Sequence, residues 1–540
     1  MDTIQKNQTV ICTIDGWSHD GAGVARVGGR AVFVPGALPG EQWRVRIVKV
    51  SSAAAFGRGE ECLLLSPDRT SPGCPAYPKC GGCALRHVSY AAELEFKRQK
   101  VDEAYRRIGG LDLRVSEILG AENPDGYRNK AIYALTPDLR PGFYRFRSHD
   151  VIPVSRCLLQ SPVSDRAAQA VCVFARENGL SAYDETAGVG LLRHIFTRTA
   201  RSGAVQITVV AAGGFGHRTE ALVAALRKAC PEAVSIVLNV NRNAGNTVLA
   251  GSFFTLWGAD TLEDTLCGST FSLSPQSFYQ VNPAQAERLY AKAVEFAAPG
   301  PADTVLDLYC GAGTITLALA RRAGTVVGAE IVPEAVENAR ANALRNGVRN
   351  VEYLCGDAAQ AAEELRRRDL RPAAVVVDPP RKGLDPRVIS SIAAMAPERV
   401  VYVSCDCATQ ARDLKLFEQA GNRAERAVAC DMFPRTSHVE TVVQLSQQKP
   451  DTYITVGLDL DELDATAAET KATYEEIKAW VWEHYQLKVS ALYISQVKRK
   501  CGLEVGKNYH LSKSDNPKVP VCPKEKEDAI MEALRVFKMI

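Results

Sequence analysis

Val400-Val-Tyr-Val-Ser-Cys405 reads as a buried β-strand that runs straight into a cysteine. A thiol at the carboxyl end of a strand in an open α/β sheet lies on the rim where such sheets bind their ligands. Its thiolate can add covalently to a substrate and leave again once the reaction is complete. Such an adduct needs a partner base to take a proton before the thiolate departs. Glu440, in Phe433-Pro-Arg-Thr-Ser-His-Val-Glu440, is the candidate base, and His438 two residues earlier is its rival.

A second set of residues has the spacing of a nucleotide site. Val305-Leu-Asp-Leu-Tyr-Cys-Gly-Ala-Gly313 is a strand entering a glycine turn, followed by the predicted helix Thr314–Arg322. Glycines there let the backbone approach a ligand closely. Thr325–Glu330 is the next strand, and the Glu330 carboxylate at its end can accept hydrogen bonds from both ribose hydroxyls. Gly356-Asp357 follows the strand Val351–Leu354, and Ala373-Ala-Val-Val-Val-Asp-Pro-Pro-Arg381 ends in Asp378, facing donor and acceptor. Together these fit S-adenosylmethionine. The nicotinamide pattern Gly-x-Gly-x-x-Gly is absent, which disfavours NAD.

A methyl donor beside a nucleophilic cysteine points to one acceptor in particular. Uracil C5 is a poor nucleophile in the intact ring. Thiolate addition at C6 makes C5 enolate-like and able to attack a methyl sulfonium. A cytosine-5 enzyme would also use a cysteine, yet it needs a group to protonate N3, which the Phe-Pro-Arg-Thr-Ser-His-Val-Glu segment does not supply.

The chain holds 16 cysteines. Cys74-x5-Cys80-x2-Cys83, with Cys157 downstream as fourth ligand, forms a soft thiolate set suited to zinc or an iron–sulfur cluster. The spacing departs from the x2–x4 pairing of zinc ribbons. Cys310 lies in the donor loop without a role. Cys12, Cys62, Cys172, Cys230, Cys267, Cys355, Cys430, Cys501 and Cys522 are expected to be packing residues.

The elements that must position these groups fall into four blocks, as 540 residues at about 150 per domain suggest. Residues 1–68 alternate apolar and polar in short strands (Thr9–Asp15, Ala31–Val34, Trp43–Lys49), which implies an OB-like barrel with Arg26, Arg30, Arg44, Arg46 and Lys49 available to RNA. Residues 69–282 read as α+β, with a helix over Tyr90–Ile108 and strands over Ala204–Ala211 and Val234–Val240. Residues 283–447 alternate strand and helix, the pattern of a doubly wound parallel sheet of Rossmann-like type. Residues 451–540 read as a small helical extension with a capping box at Thr473–Glu476, a second helix over Ser490–Lys500 and a third opening at Pro523.

With a net charge of +3, a nucleic-acid partner must be met by a local basic patch. Gly126–Gln160 supplies one, with six basic residues against two acidic and Tyr127, Tyr133, Phe143, Tyr144 and Phe146 interleaved. Cations pair with phosphates and rings stack on unpaired bases, so a single-stranded or loop RNA is the expected partner. The polar N-terminus and the lack of a long apolar run predict a cytoplasmic protein without a membrane partner. A monomer is expected.

Asp307-Leu-Tyr-Cys-Gly-Ala-Gly-Thr-Ile-Thr-Leu317, Asp378-Pro-Pro-Arg-Lys-Gly383, Tyr402-Val-Ser-Cys405 and Met432-Phe-Pro-Arg-Thr-Ser-His-Val-Glu440 together resemble the signatures of the bacterial RNA uracil-5-methyltransferase family, over roughly residues 1–446. The resemblance implies an N-terminal TRAM barrel, a central domain and a C-terminal methyltransferase domain. It implies Cys405 as nucleophile, Glu440 as base, and Gln280, Tyr309, Glu330 and Asp378 as S-adenosylmethionine contacts, with Asp357 near the adenine. The x5-x2 cysteine spacing is similar to the [4Fe-4S] site of the 23S rRNA branch, absent from the tRNA branch. That implies a central iron–sulfur domain and 23S rRNA as substrate, with tRNA as the alternative and a non-catalytic RNA-binding protein as a further one.

The sequence departs from the family where Asp406-Cys407 replaces the usual Asn-Pro after the nucleophile. Asp406 is expected to raise the Cys405 pKa by like charge, and Cys407 to add a second oxidisable thiol. The family does not require the extension. Its first two helices suggest a helix-turn-helix, with Lys498-Arg-Lys500 and Lys507 near nucleic acid, or a plain three-helix appendage.

Overall fold

The structure, a computed structural model, describes residues 4–447 apart from 244 and 246, and beyond them 473–501, 503, 522–537 and 539–540. The chain divides into two compact units, Met1–Lys449 and Pro450–Ile540.

Thr9–Trp17, Gly23–Val27, Arg30–Val34, Gln42–Val50 and Ala54–Leu64 close into a five-stranded barrel. Alternate residues point inward, so that Cys12, Ile14, Val32, Val34, Val45 and Ile47 form its core. Two of the five strands were hidden by glycine. Gly57 and Gly59 lie inside the last strand because it crosses close over its neighbour: a Cβ on Gly57 would strike Val45, and one on Gly59 would lie 2.7 Å from the Trp43 ring. Of the expected RNA-facing cations, Arg44 pairs with Glu61, and Arg46 with Glu60 at 2.9 Å.

A second, eight-stranded sheet runs in the order Val351–Cys355, Thr325–Glu330, Thr304–Leu308, Ala374–Val377, Arg399–Ser404, Glu440–Gln447, Asn422–Cys430 and Val115–Leu119. The five strands from Val351–Cys355 to Arg399–Ser404 run parallel, and Glu440–Gln447 is inserted antiparallel beside Arg399–Ser404. Both faces are covered, one centred on Leu306, Val377 and Phe417 and the other on Leu289, Val305 and Val401. Near-continuous runs of Val, Ile and Leu are what such doubly covered strands require.

The block expected at 69–282 is divided between two sheets. Its helix spans Tyr90–Ala104 and continues as a wider turn over Tyr105–Gly109, ending at Gly110 in the left-handed region. The chain then forms Val115–Leu119, which pairs in parallel with Asn422–Cys430 and so completes the eight-stranded sheet. That pairing joins residues some 300 apart and leaves no local trace in the sequence. The remainder is a seven-stranded sheet, ordered Ser252–Gly258, Ala233–Val240, Val205–Ala211, Leu192–Thr199, Lys130–Leu135, Pro141–Tyr144 and Val151–Pro153. The helices Pro162–Glu177 and Thr219–Ala229 share a core with it, as α+β composition implies.

Among its described residues the C-terminal unit has three helices, Tyr474–Tyr485, Ala491–Lys500 and Lys524–Val536, around Ile477, Val481, Ile494, Val497, Ile530 and Leu534. The Thr473–Glu476 capping box forms, and Ser490 and Pro523 stand at the N-caps of the second and third helices. Lys498 is buried and Lys500 is paired with Glu527, which removes them from the basic surface expected of a helix-turn-helix. Lys507 lies outside the described residues. Among the described residues no helix is long and apolar enough to cross a membrane.

Candidate active site

Ser404 and Thr441 are the last paired residues of two antiparallel strands. Cys405 and Glu440 are therefore the next residue on each, facing one another at the sheet rim. Beneath them a fully buried Gln410 ties the strands: its carbonyl accepts from the Thr441 hydroxyl (2.7 Å) and the Tyr105 hydroxyl (2.8 Å), and its amide donates to Tyr402 O (2.9 Å). Asp406 does not act on the thiol as expected. Its carboxylate caps the helix Cys407–Gln419, accepting from Ala408 and Thr409 N–H, both at 3.0 Å. Cys407 is buried in the core under that helix.

Burial pushes the half-exposed Cys405 thiol up to about 11, helped by the Glu440 and Asp378 carboxylates. The Arg381 guanidinium beside the sulfur pulls the other way. Burial likewise lifts Glu440 to about 8 and Asp378 to about 7, with Asp378 adding to the Glu440 shift and Arg381 opposing it. His438 moves in the other direction, down to about 4, because it is buried among Arg381, Lys100, Lys97 and Arg128. A carboxylate lifted toward neutrality is a competent base, whereas an imidazole that weak is not. The two candidate bases are thus shifted in opposite directions.

The donor loop folds as the glycines require. Tyr309, Gly311 and Gly313 have φ of +70°, +55° and +83° between the strand Thr304–Leu308 and the helix Thr314–Ala320. A Cβ on Gly311 would meet nothing within 4 Å, whereas one on Gly313 would lie 2.7 Å from Tyr353 Oη. Glu330 accepts from Gly311 N–H (3.1 Å) and Val332 N–H (2.9 Å), which places its carboxylate at the mouth of the loop. Asp307 is fully buried, accepts from Thr316 Oγ1 (2.6 Å) and leaves Oδ1 without a partner. Gln280 donates to the buried Tyr290 hydroxyl (3.2 Å), which is also close to Thr314 and Asp378. Asp357 caps the helix Ala358–Arg367, so its carboxylate is already engaged with Ala359 N–H (2.9 Å). An open glycine cradle and an unpartnered buried carboxylate suit a nucleoside with a cationic tail.

Tyr290 and Gln410 were not found from sequence, because each is a helix residue whose partners lie on other elements. Arg381 stood in the Asp378-Pro-Pro-Arg segment, and its charge beside two acids was the signal for it.

Cys74, Cys80, Cys83 and Cys157 are half-buried free thiols around one cavity of about 220 Å³, which Arg86, Arg128, Lys130 and Arg156 also line. Among the described residues no three His, Cys, Asp or Glu side chains stand close enough to hold a metal ion as they are. Of the remaining cysteines, Cys12, Cys172, Cys230, Cys430 and Cys522 are buried, as expected. Cys62, Cys267 and Cys501 are partly so, and Cys355 is exposed at a strand end and packs nothing. In the basic segment Tyr133 is core, its hydroxyl bonded to Asp165 (2.7 Å), while Phe146 is 65% exposed with Arg147 over its ring. A larger cleft of about 710 Å³ lies between Tyr127–Asn129 and the first turns of the helix Pro283–Ala297, its walls carrying Arg128, Arg201 and Arg288 against Glu122, Asp125 and Glu287.

Comparison with known proteins accords with this geometry. Residues 268–448 match the tRNA (uracil-5-)-methyltransferase family and residues 5–59 the TRAM domain. The chain is 41% identical over 447 residues to an uncharacterized RNA methyltransferase of Listeria innocua, covering 82% of this chain and 98% of that one. A second, from Halalkalibacterium halodurans, matches to the same extent. Among solved structures, the tRNA (uracil-54, C5)-methyltransferase of Pyrococcus abyssi in complex with S-adenosyl-L-homocysteine superposes with a TM-score of 0.66 at 28% identity, over 81% of this chain and 99% of that one. The chain belongs to the RNA uracil-5-methyltransferase family, whose members are S-adenosylmethionine-dependent RNA methyltransferases.

Proposed function

We propose that the protein methylates C5 of a uridine in 23S rRNA, with Cys405 as nucleophile and Glu440 as base. The opposition of Cys405 and Glu440 on adjacent strand ends is the observation that carries this reading. The Cys405 thiolate, favoured by Arg381, bonds to C6, and the ring electrons move toward C5. S-adenosylmethionine supplies the methyl group as an electrophilic sulfonium. Gln280, Tyr309, Glu330 and Asp378 hold the donor, and Asp357 lies near its adenine. Glu440 then takes the C5 proton, the C5–C6 double bond re-forms, and the C6–S bond breaks to return the thiolate. The target base must leave its stack to reach Cys405, so unpaired RNA is the substrate. The exposed Phe146, with Arg147 over its ring, offers a stacking platform and a phosphate contact.

The four cysteines hold a [4Fe-4S] cluster in this reading. Four thiolates around such a core carry net negative charge, and the four cations lining the cavity offset it. The cysteine spacing favours 23S rRNA over tRNA. Mapping 5-methyluridine in both RNAs from a deletion strain tests the assignment. Loss from 23S rRNA alone supports it, and loss from tRNA alone refutes it.

A further inference from the structure

Two phenylalanines of the five-stranded barrel stand outside its core. Alternation in Arg30–Val34 sends Val32 and Val34 inward and Phe33 outward, and in Ala54–Leu64 it sends Ala55 inward and Phe56 outward. Register sets Phe33 opposite Phe56 and Phe56 opposite Lys49 on Gln42–Val50, so the three side chains form one row across the barrel surface. The rings stack with centroids 5.5 Å apart and planes 26° apart, and Lys49 Nζ lies 5.8 Å from the Phe56 centroid. Phe56 is still 41% exposed, and neither ring joins the barrel core or the apolar cluster beside it.

The charges around this row are sorted. Arg44 and Arg46, earlier on the strand that carries Lys49, are held by Glu61 and Glu60. Lys49 and Arg58 are exposed and pair with no carboxylate among the described residues. Arg58 stands two residues beyond Phe56 on one strand and so projects from the same face. A cross-strand ring pair steadies a sheet, but that role does not call for unpaired cations on either side of it. Exposed rings flanked by free cations match a ligand that brings flat bases and phosphates together. Unpaired RNA does so. A duplex covers its base faces with neighbouring bases, and an acidic peptide supplies charge without the bases.

We propose that Phe33 and Phe56 form a stacking platform for a second unpaired base of the substrate RNA, distinct from the target uridine, with Lys49 and Arg58 on its flanking phosphates. The inference rests on RNA as the substrate and is independent of which RNA is modified and of the cysteine site. The four side chains are positioning residues, since they lie on the barrel and not among the groups around Cys405. Binding that is equal in the ground state and the transition state lowers KM without raising kcat.

The test uses the full-length protein, a single-stranded oligoribonucleotide and the same strand annealed to its complement. Phe33→Leu with Phe56→Leu keeps apolar cover on both strands and removes the rings. Single-strand binding should weaken on the order of 10- to 100-fold while duplex binding holds. With a methylatable RNA the loss should fall on KM, not kcat. Phe56→Tyr, which keeps a π face, should bind within about twofold of wild type. Lys49→Gln with Arg58→Gln leaves the rings in place and should make the log–log salt dependence of single-strand binding shallower by about 1.4, at about 0.7 for each phosphate contact. Wild-type single-strand affinity in the double-leucine protein, equal weakening toward the duplex, or an unchanged salt slope overturns the platform. The first of these results would assign the surface to a protein partner. A wild-type protein that methylates tRNA and not 23S rRNA refutes the proposed function instead, and the affinity measurements still decide the platform.

Discussion

Cys405 and Glu440 lie one residue beyond the pair Ser404–Thr441, the proposed nucleophile leaving one strand where the proposed base enters its antiparallel neighbour. The inserted antiparallel strand is what makes this possible. In a wholly parallel sheet the two residues would follow separate crossovers, whereas here one register fixes both. Burial lifts Glu440 to about 8 and Cys405 to about 11, and the Glu440 carboxylate adds to the rise at the thiol.

Stability should fall with rising pH in a defined window. The folded Glu440 and Asp378 hold their protons up to about 8 and 7, above their ordinary 4.5 and 3.8. Their contribution is complete below the unfolded values and is lost as pH rises through the folded ones. Tm should decline between about pH 4.5 and pH 8, and Glu440→Gln should flatten the decline. Melting curves in which the variant declines as steeply as the parent would remove Glu440 as a cause.

Arg381 lowers the pKa of both Cys405 and Glu440. Arg381→Gln should therefore move iodoacetamide labelling of Cys405 to higher pH and cut turnover by on the order of 100-fold. An unmoved labelling profile would mean the guanidinium does not reach the sulfur.

Gln410→Leu removes the group that joins the two strands. Tyr105 and Thr441 lose their shared acceptor and Tyr402 O its donor. The Thr441 hydroxyl keeps Ser404 O (3.2 Å), so at about 1–3 kcal/mol for a buried group left unsatisfied, stability against denaturant should fall by about 1–3 kcal/mol. A loss below about 1 kcal/mol would show that the network is dispensable.

Gly313→Ala places a Cβ 2.7 Å from Tyr353 Oη at a φ of +83°. The donor loop must shift, and calorimetry should show S-adenosylmethionine binding weakened by on the order of tenfold, or about 1.4 kcal/mol. Unaltered affinity would mean the loop does not shape the donor site.

How far the sequence reaches can be judged residue by residue. Cys405, Glu330 and Asp378 were found because each ends an apolar strand, and strand ends of an open sheet converge on one rim. Tyr290 and Gln410 carry no such signal, since a tyrosine or glutamine on an amphipathic helix looks alike whether it faces a site or solvent. Asp406 was misjudged because adjacency in sequence says nothing of where a carboxylate turns, and here a helix N-terminus claims it. Ala54–Leu64 was not found as a strand, because its two glycines, which serve a close strand crossing, interrupt the apolar alternation.

The most direct measurement is mass spectrometry of Glu440→Gln after reaction with target RNA and S-adenosylmethionine. The variant keeps the nucleophile and loses the base, so a covalent adduct should accumulate on the peptide that contains Cys405, carrying a uridine already methylated at C5. An adduct on Cys407, or full release of methylated RNA with no adduct at all, would contradict the account.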